Sequence, residues 1–124
     1  MSDHRPLVFA HRGGADALPE HTLGAYLQAL SDGADGLECD VRLSRDGHLV
    51  CVHDRRLDRT SNGRGKVSTK TLAELESLDF GSWHPGYPVD EEPLPELSRL
   101  LTLERLLEAV TDSGRNVRLL IETK

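Results

Sequence analysis

Cysteine is nearly absent from this chain. Cys39 and Cys51 are too few for a disulfide framework, and no C-x-x-C occurs for zinc or redox chemistry. Both fall in apparent strands, where they read as small buried hydrophobes in a reducing compartment, or as one disulfide between neighbouring strands. Long apolar runs are missing too, so no transmembrane segment is expected. The N-terminal "MSDHRPLVFAHRGG" lacks the basic start, apolar stretch and small-residue cleavage site of a secretory signal. Nor is there a basic excess: 15 Lys and Arg against 21 Asp and Glu leave a formal net charge of −6, which argues against nucleic acid as a partner. The acidic residues are spread along the chain and form no tail. The expectation is a soluble, cytoplasmic protein whose 124 residues make one domain with a modest core. There is no internal repeat or low-complexity tract.

What the chain does contain is an alternation of strand and helix patterns. "LVFA" (residues 7–10) is a continuous apolar run ending at "HRGG", the form of a strand buried on both faces. In "PEHTLGAYLQALSDG", Leu23, Tyr26 or Leu27, and Leu30 fall at helical spacing, with Gly33 placed to stop the helix. "GLECDVRL" (36–43) is a second strand, and "SRDGHLVCVHD" reads as a turn at Asp46-Gly47 leading into a hairpin strand. Thr71 and Glu74 form a capping box ahead of a Leu72, Leu75, Leu78 stripe. A further helix places Leu103, Leu106, Leu107 and Val110 on one face, with Gly114 after its end, and "VRLLIETK" closes as a buried strand. Strands alternating with helices predict a parallel sheet with helical crossovers. Residues 54–100 are too many for a simple connection and read as a small insertion within a single 1–124 domain unit.

Charged clusters sit at four strand ends: His11 and Arg12, Glu38 and Asp40, His53 and Asp54, Glu122 and Lys124. Sites in parallel α/β proteins lie at the carboxyl ends of strands. Glu38 and Asp40 share one face of their strand, while Leu37, Cys39 and Val41 take the other. Two converging carboxylates need a counter-charge, and all-oxygen ligands suit Mg²⁺ or Ca²⁺; the alternative is an edge strand with its acidic face in water. Glu122 adds a third carboxylate with Lys124 on its face, unless this is a solvated, fraying terminus. His11 and His53 fit a general acid and base pair. Arg12 is placed to clamp an anionic oxygen or to form a salt bridge with Glu38 or Asp40. Gly13 and Gly14 make a tight turn, or bring backbone N–H groups near a phosphate. The basic stretch "DRRLDRTSNGRGK" reads as a solvated loop or a steering surface for anions, and Trp83 and Tyr87 border a pocket or form a satellite core.

The ordered set "HRGG…PEHT…LECDVRLSRDGHLVCVHD…LDRTSNGRGKVS…IETK" resembles the N-terminal half of the glycerophosphodiester phosphodiesterases, from about Leu7 to Lys124. The resemblance implies a (β/α)₈ TIM-type barrel of which this chain supplies the first three strand–helix units plus the insertion. It implies hydrolysis of glycerophosphodiesters to glycerol 3-phosphate and an alcohol, with Mg²⁺ or Ca²⁺ as cofactor and a cyclic phosphate on the way. Glu38, Asp40 and Glu122 become metal ligands, joined by Glu20 in some members. His11 and His53 become the acid/base pair, and Arg12 and Lys124 the phosphate partners. His21 stands where the family usually has asparagine, and Thr123 where it usually has an apolar residue. A related phospholipase D-type lipid phosphodiesterase and a truncated, non-catalytic barrel that only binds metal or a partner are the competing readings. A full barrel takes about 250 residues, so this chain is expected to be a fragment, with the rest of the barrel needed to close the fold.

Overall fold

A computed structural model describes residues 6–14, 18–85 and 95–124. Tyr87 lies outside the described residues. Strand β1 (Phe9–Ala10) runs into a 3-10 turn at His11–Gly13, and helix α1 (Leu23–Ser31) leads back to strand β2 (Gly36–Leu43). The hairpin strand β3 (Leu49–Cys51) follows, then the short helix α2 (Leu72–Glu76), helix α3 (Leu103–Asp112) and strand β4 (Arg118–Thr123).

β2 is the centre of the sheet. β4 pairs with it in parallel from Gly36↔Arg118 to Val41↔Thr123. β1 is parallel to the start of β2, and β3 antiparallel to its end, with Val41 opposite Cys51. Since β4 already occupies one edge of β2 over these residues, β1 and β3 must share the opposite edge. The predicted hairpin, parallel sheet and helical crossovers are all present.

Local sequence explains where the helices begin and end. The Thr22 hydroxyl caps α1 by accepting from the Ala25 N–H at 3.2 Å, and Gly33, at φ 87°, turns the chain out of it. Thr102 caps α3 in the same way through the Arg105 N–H. Thr71 and Glu74 form the full capping box of α2. α1 and α3 bury Leu23, Tyr26, Leu30 and Leu106 against Leu37, Cys39 and Val41, the non-acidic face of β2. Each fully buried side chain of this kind is worth about 1.5–3 kcal/mol. A second cluster packs Leu57, Val67, Leu75 and Phe80 beneath Val50 and Val52. Both cysteines are buried free thiols, not a disulfide.

Of the Tyr26 or Leu27 alternative, Tyr26 faces the core and Leu27 is exposed. Other apolar expectations need correction: Leu107 is exposed, and α3 buries Leu106 and Ala109. The run at 7–10 and the closing strand are not buried. Val8 is 60% exposed, Phe9 37% and Leu120 55%. Among the described residues β1 and β4 each pair only with β2, so their outer edges and one face meet no further layer.

Candidate functional site

The chemistry gathers where β1, β2 and β4 end. The alternation of β2 turns Glu38 and Asp40 to the face opposite the core, yet both are buried, Asp40 to 1% exposure. An acidic edge facing water is therefore excluded. Asp40 lies directly opposite Glu122 in the parallel ladder. Burial, and then a hydrogen bond shared with Glu122, raise the Asp40 carboxyl above its usual range, while the same bond and Lys124 lower Glu122. Burial followed by the Asp40 charge also raises Glu38. Lys124 Nζ stands 3.7 Å from Asp40 Oδ1 and 3.4 Å from Glu122 Oε2.

The turn after β1 brings cations to this acidic floor. His11 Nε2 is 3.1 Å from Glu38 Oε2, with its side chain largely exposed. Arg12 takes a left-handed conformation at φ 51°; its Nη1 reaches Glu20 Oε2 at 3.4 Å and its Nε lies 3.7 Å from Asp40 Oδ2. Gly13 follows at φ 82°, where an added Cβ would sit 3.1 Å from Ala25 Cβ, so the turn packs tightly on α1 only with glycine. The tight turn is present, closed by the Gly14 N–H donating to the His11 carbonyl.

Residues from the other edge complete the floor. Arg42 donates twice to the His53 carbonyl, at 3.1 and 2.8 Å, and His53 Nδ1 is 2.9 Å from Asp54 Oδ1. Arg59, from the stretch read as a solvated or steering loop, instead reaches into the site and contacts Asp54 and Glu20. Trp83 borders it, with Arg59 Cζ 6.0 Å from its ring. Glu20 is buried, and both of its oxygens accept from guanidinium groups.

Neither Arg59 nor the structural use of His21 was legible in the sequence. His21 is buried at φ 57°, a conformation histidine and asparagine adopt more readily than most residues. Its Nε2 accepts the backbone N–H of Asp40 at 3.0 Å. Burial lowers its pKa to about 3, so the ring is neutral and its hydrogen sits on Nδ1. His21, Glu38 and Asp40 bring one donor atom each within 4.8 Å of one another. With the Nε2 lone pair already engaged, the ring suits the holding of β2 rather than ligation. His21→Asn keeps an acceptor and tolerates the backbone, and should leave the urea midpoint nearly unchanged. His21→Leu orphans a buried N–H and should cost about 1–3 kcal/mol.

The donor set fits a hard divalent cation. Glu38 Oε1 and Asp40 Oδ2 are buried without a hydrogen-bond partner, a costly arrangement that a cation between the carboxylates would relieve. Glu38 and Asp40, with Glu122 beside them, are the residues that would hold it.

A family model described as "Glycerophosphoryl diester phosphodiesterase family" matches residues 11–124. The chain is 58% identical over 119 residues to the probable glycerophosphodiester phosphodiesterase 1 of Mycobacterium tuberculosis, covering 96% of this chain and 43% of that protein. It is 40% identical over 125 residues to the glycerophosphodiester phosphodiesterase of Bacillus subtilis, covering 42% of its length. In structure it matches the glycerophosphodiester phosphodiesterase of Agrobacterium tumefaciens with TM-score 0.80 and 34% identity, over 96% of this chain and 47% of that one. A phosphodiesterase of Oleispira antarctica, solved with the product sn-glycerol-3-phosphate, matches with TM-score 0.79 and 35% identity, over 96% of this chain and 45% of that one. The chain thus spans less than half the length of these relatives and has the fold of part of a TIM-type barrel. It belongs to the glycerophosphoryl diester phosphodiesterase family.

Proposed function

We propose that this chain carries the metal-binding and acid/base half of an enzyme that hydrolyses glycerophosphodiesters to glycerol 3-phosphate and an alcohol. The observation that carries the reading is the pair of buried carboxylate oxygens without a hydrogen-bond partner, Glu38 Oε1 and Asp40 Oδ2, with His11 beside Glu38. Glu38, Asp40 and Glu122 hold Mg²⁺ or Ca²⁺, which when bound neutralises phosphodiester charge. Arg12 and Lys124 contribute further positive charge toward the phosphoryl oxygens. Glu20, enclosed by Arg12 and Arg59, serves as their anchor rather than as a ligand.

His11 and His53 handle the protons. One takes the proton from a glycerol hydroxyl as its oxygen bonds to phosphorus, and the other protonates the departing alcohol oxygen as that P–O bond breaks. The product is a cyclic phosphate, which water opens with the two roles reversed. Arg59 and Trp83, both from the stretch read as an insertion, lie together at the site rim.

The exposed outer sides of β1 and β4 support a reading in which activity needs a closed barrel, whose further strands come from the same polypeptide or from another chain. The test measures glycerol 3-phosphate released from glycerophosphocholine with Mg²⁺, with Ca²⁺ or with chelator. It uses this chain alone and this chain joined to or mixed with the remaining barrel strands. Metal-dependent release by the completed barrel is expected. A completed, folded barrel that binds Mg²⁺ or Ca²⁺ yet releases no product from any glycerophosphodiester would refute the reading.

A further inference from the structure

Four of the five N–H groups of Arg59 are committed to two carboxylates. Its Nε donates to Asp54 Oδ2 at 2.8 Å and its Nη2 to Asp54 Oδ1 at 3.0 Å. The other Nη2 hydrogen goes to Glu20 Oε2 at 3.0 Å, and Nη1 donates to Glu20 Oε1 at 2.9 Å. Glu20 is only 6% exposed and is also met by Arg12, so this end of the fork is anchored in the protein. The other end grips Asp54 with both oxygens, one of which also faces His53 Nδ1 at 2.9 Å. Hydrogen bonding to Arg59 holds Asp54 ionised, well below the usual carboxylate range. An ionised carboxylate only accepts, so the hydrogen between it and the ring belongs to Nδ1. The lone pair of the neutral ring is then on Nε2. The two Arg42 bonds to the His53 carbonyl fix the backbone but leave the ring's rotation and tautomer to Asp54.

We propose that Arg59 is a positioning residue that sets the tautomer and orientation of His53 by clamping the Asp54 carboxylate onto the anchored Glu20. The contacts run from Arg12 through Glu20, Arg59 and Asp54 to His53, and so join the turn after β1 to the loop after β3. The catalytic value of this arrangement rests on the function proposed above; the tautomer itself does not. With Nδ1–H pinned, Nε2 is the ring atom that exchanges protons.

Histidine ¹⁵N NMR of the 124-residue chain tests this without substrate or metal, so its outcome is independent of whether the chain hydrolyses anything. Spectra are recorded at about pH 8.5, above the ordinary imidazole pKa of about 6.5. The unsubstituted chain should place His53 Nδ1 in the protonated-nitrogen range and Nε2 in the lone-pair range. In Asp54→Asn, Arg59 still claims the single acceptor oxygen and leaves the NH₂ facing the ring, so the tautomer should invert. Arg59→Ala should release Asp54 and give a mixture, while Arg59→Lys keeps the charge without the fork and should restore only part of the Nδ1–H form. Amide spectra check that each variant is folded. If Arg59→Ala unfolds, the folded Arg59→Lys decides the part played by Arg59. A His53 that is Nε2–H in the unsubstituted chain, or that stays wholly Nδ1–H in a folded Arg59→Ala or Arg59→Lys, overturns the proposal.

Discussion

Replacing His53 by alanine is expected to lower glycerophosphodiester hydrolysis by the completed barrel by about 10²–10⁴-fold, the usual loss when a general acid or base is removed. The fold should hardly notice. The His53 side chain is 35% exposed, and the contact that secures this part of the chain is made by its backbone carbonyl with Arg42. A substitution at such a site normally changes stability by no more than about 0.5 kcal/mol. The loss should therefore appear in kcat, with the thermal midpoint and the affinity for Mg²⁺ or Ca²⁺ unchanged. Added imidazole should restore part of the rate, since it returns a proton carrier to the vacated space. Equal rates for the two proteins would remove His53 from the proposed chemistry.

Asp40→Asn should change the sign of its effect on stability when a divalent cation is added. Asp40 and Glu38 have carboxyls raised above their ordinary values, burial being the first cause of each. A group of this kind favours the folded state most at low pH and loses that contribution as pH rises through its folded value. Asp54 and Glu20 work the other way. Burial opposes the charge on Glu20, but Arg59 together with Arg12 and His21 outweighs it, and Arg59 leads in lowering Asp54. Their contribution is present above about pH 4 and is lost as pH falls further. Without metal at neutral pH, Asp40→Asn removes an unfavourable buried charge and should raise the melting temperature. That difference should narrow in acid as the native Asp40 takes up its proton. With the cation at 100 times its dissociation constant, the unsubstituted chain gains about 2.7 kcal/mol, or roughly 10 °C for a chain of this size. Asp40→Asn should gain far less and become the less stable of the two. If it is less stable under both conditions, Asp40 is a structural carboxylate and the metal site is misassigned.

Local sequence patterns encode local structure, and long-range contacts escape them. Capping residues and the alternation of β2 act within a few positions of themselves, so Gly33, Thr71 and the shared face of Glu38 and Asp40 were readable directly. Burial of the acidic face was not, because it depends on Arg12, His21 and Glu20 arriving from another part of the chain. Arg59 looked like one cation among many in a polar loop. It lies 39 residues from Glu20, and nothing in its neighbours announces that contact. Leu119 to Ile121 have the composition of a buried strand, but composition specifies what a strand needs rather than what lies beside it. Among the described residues β4 pairs with β2 alone, and Leu120 and Ile121 are exposed.

The shared edge of β2 restricts how the gene can change. β1, β3 and β4 all take their register from residues 36–43 of this one strand. A codon gained or lost within it would exchange its two faces, turning Leu37, Cys39 and Val41 toward the acidic floor. It would also break alignment with ladders on both sides at once. Insertions and deletions among descendants of this sequence should therefore collect in the turn at 44–48 and in the long segment after Asp54, and leave the eight codons of β2 uninterrupted.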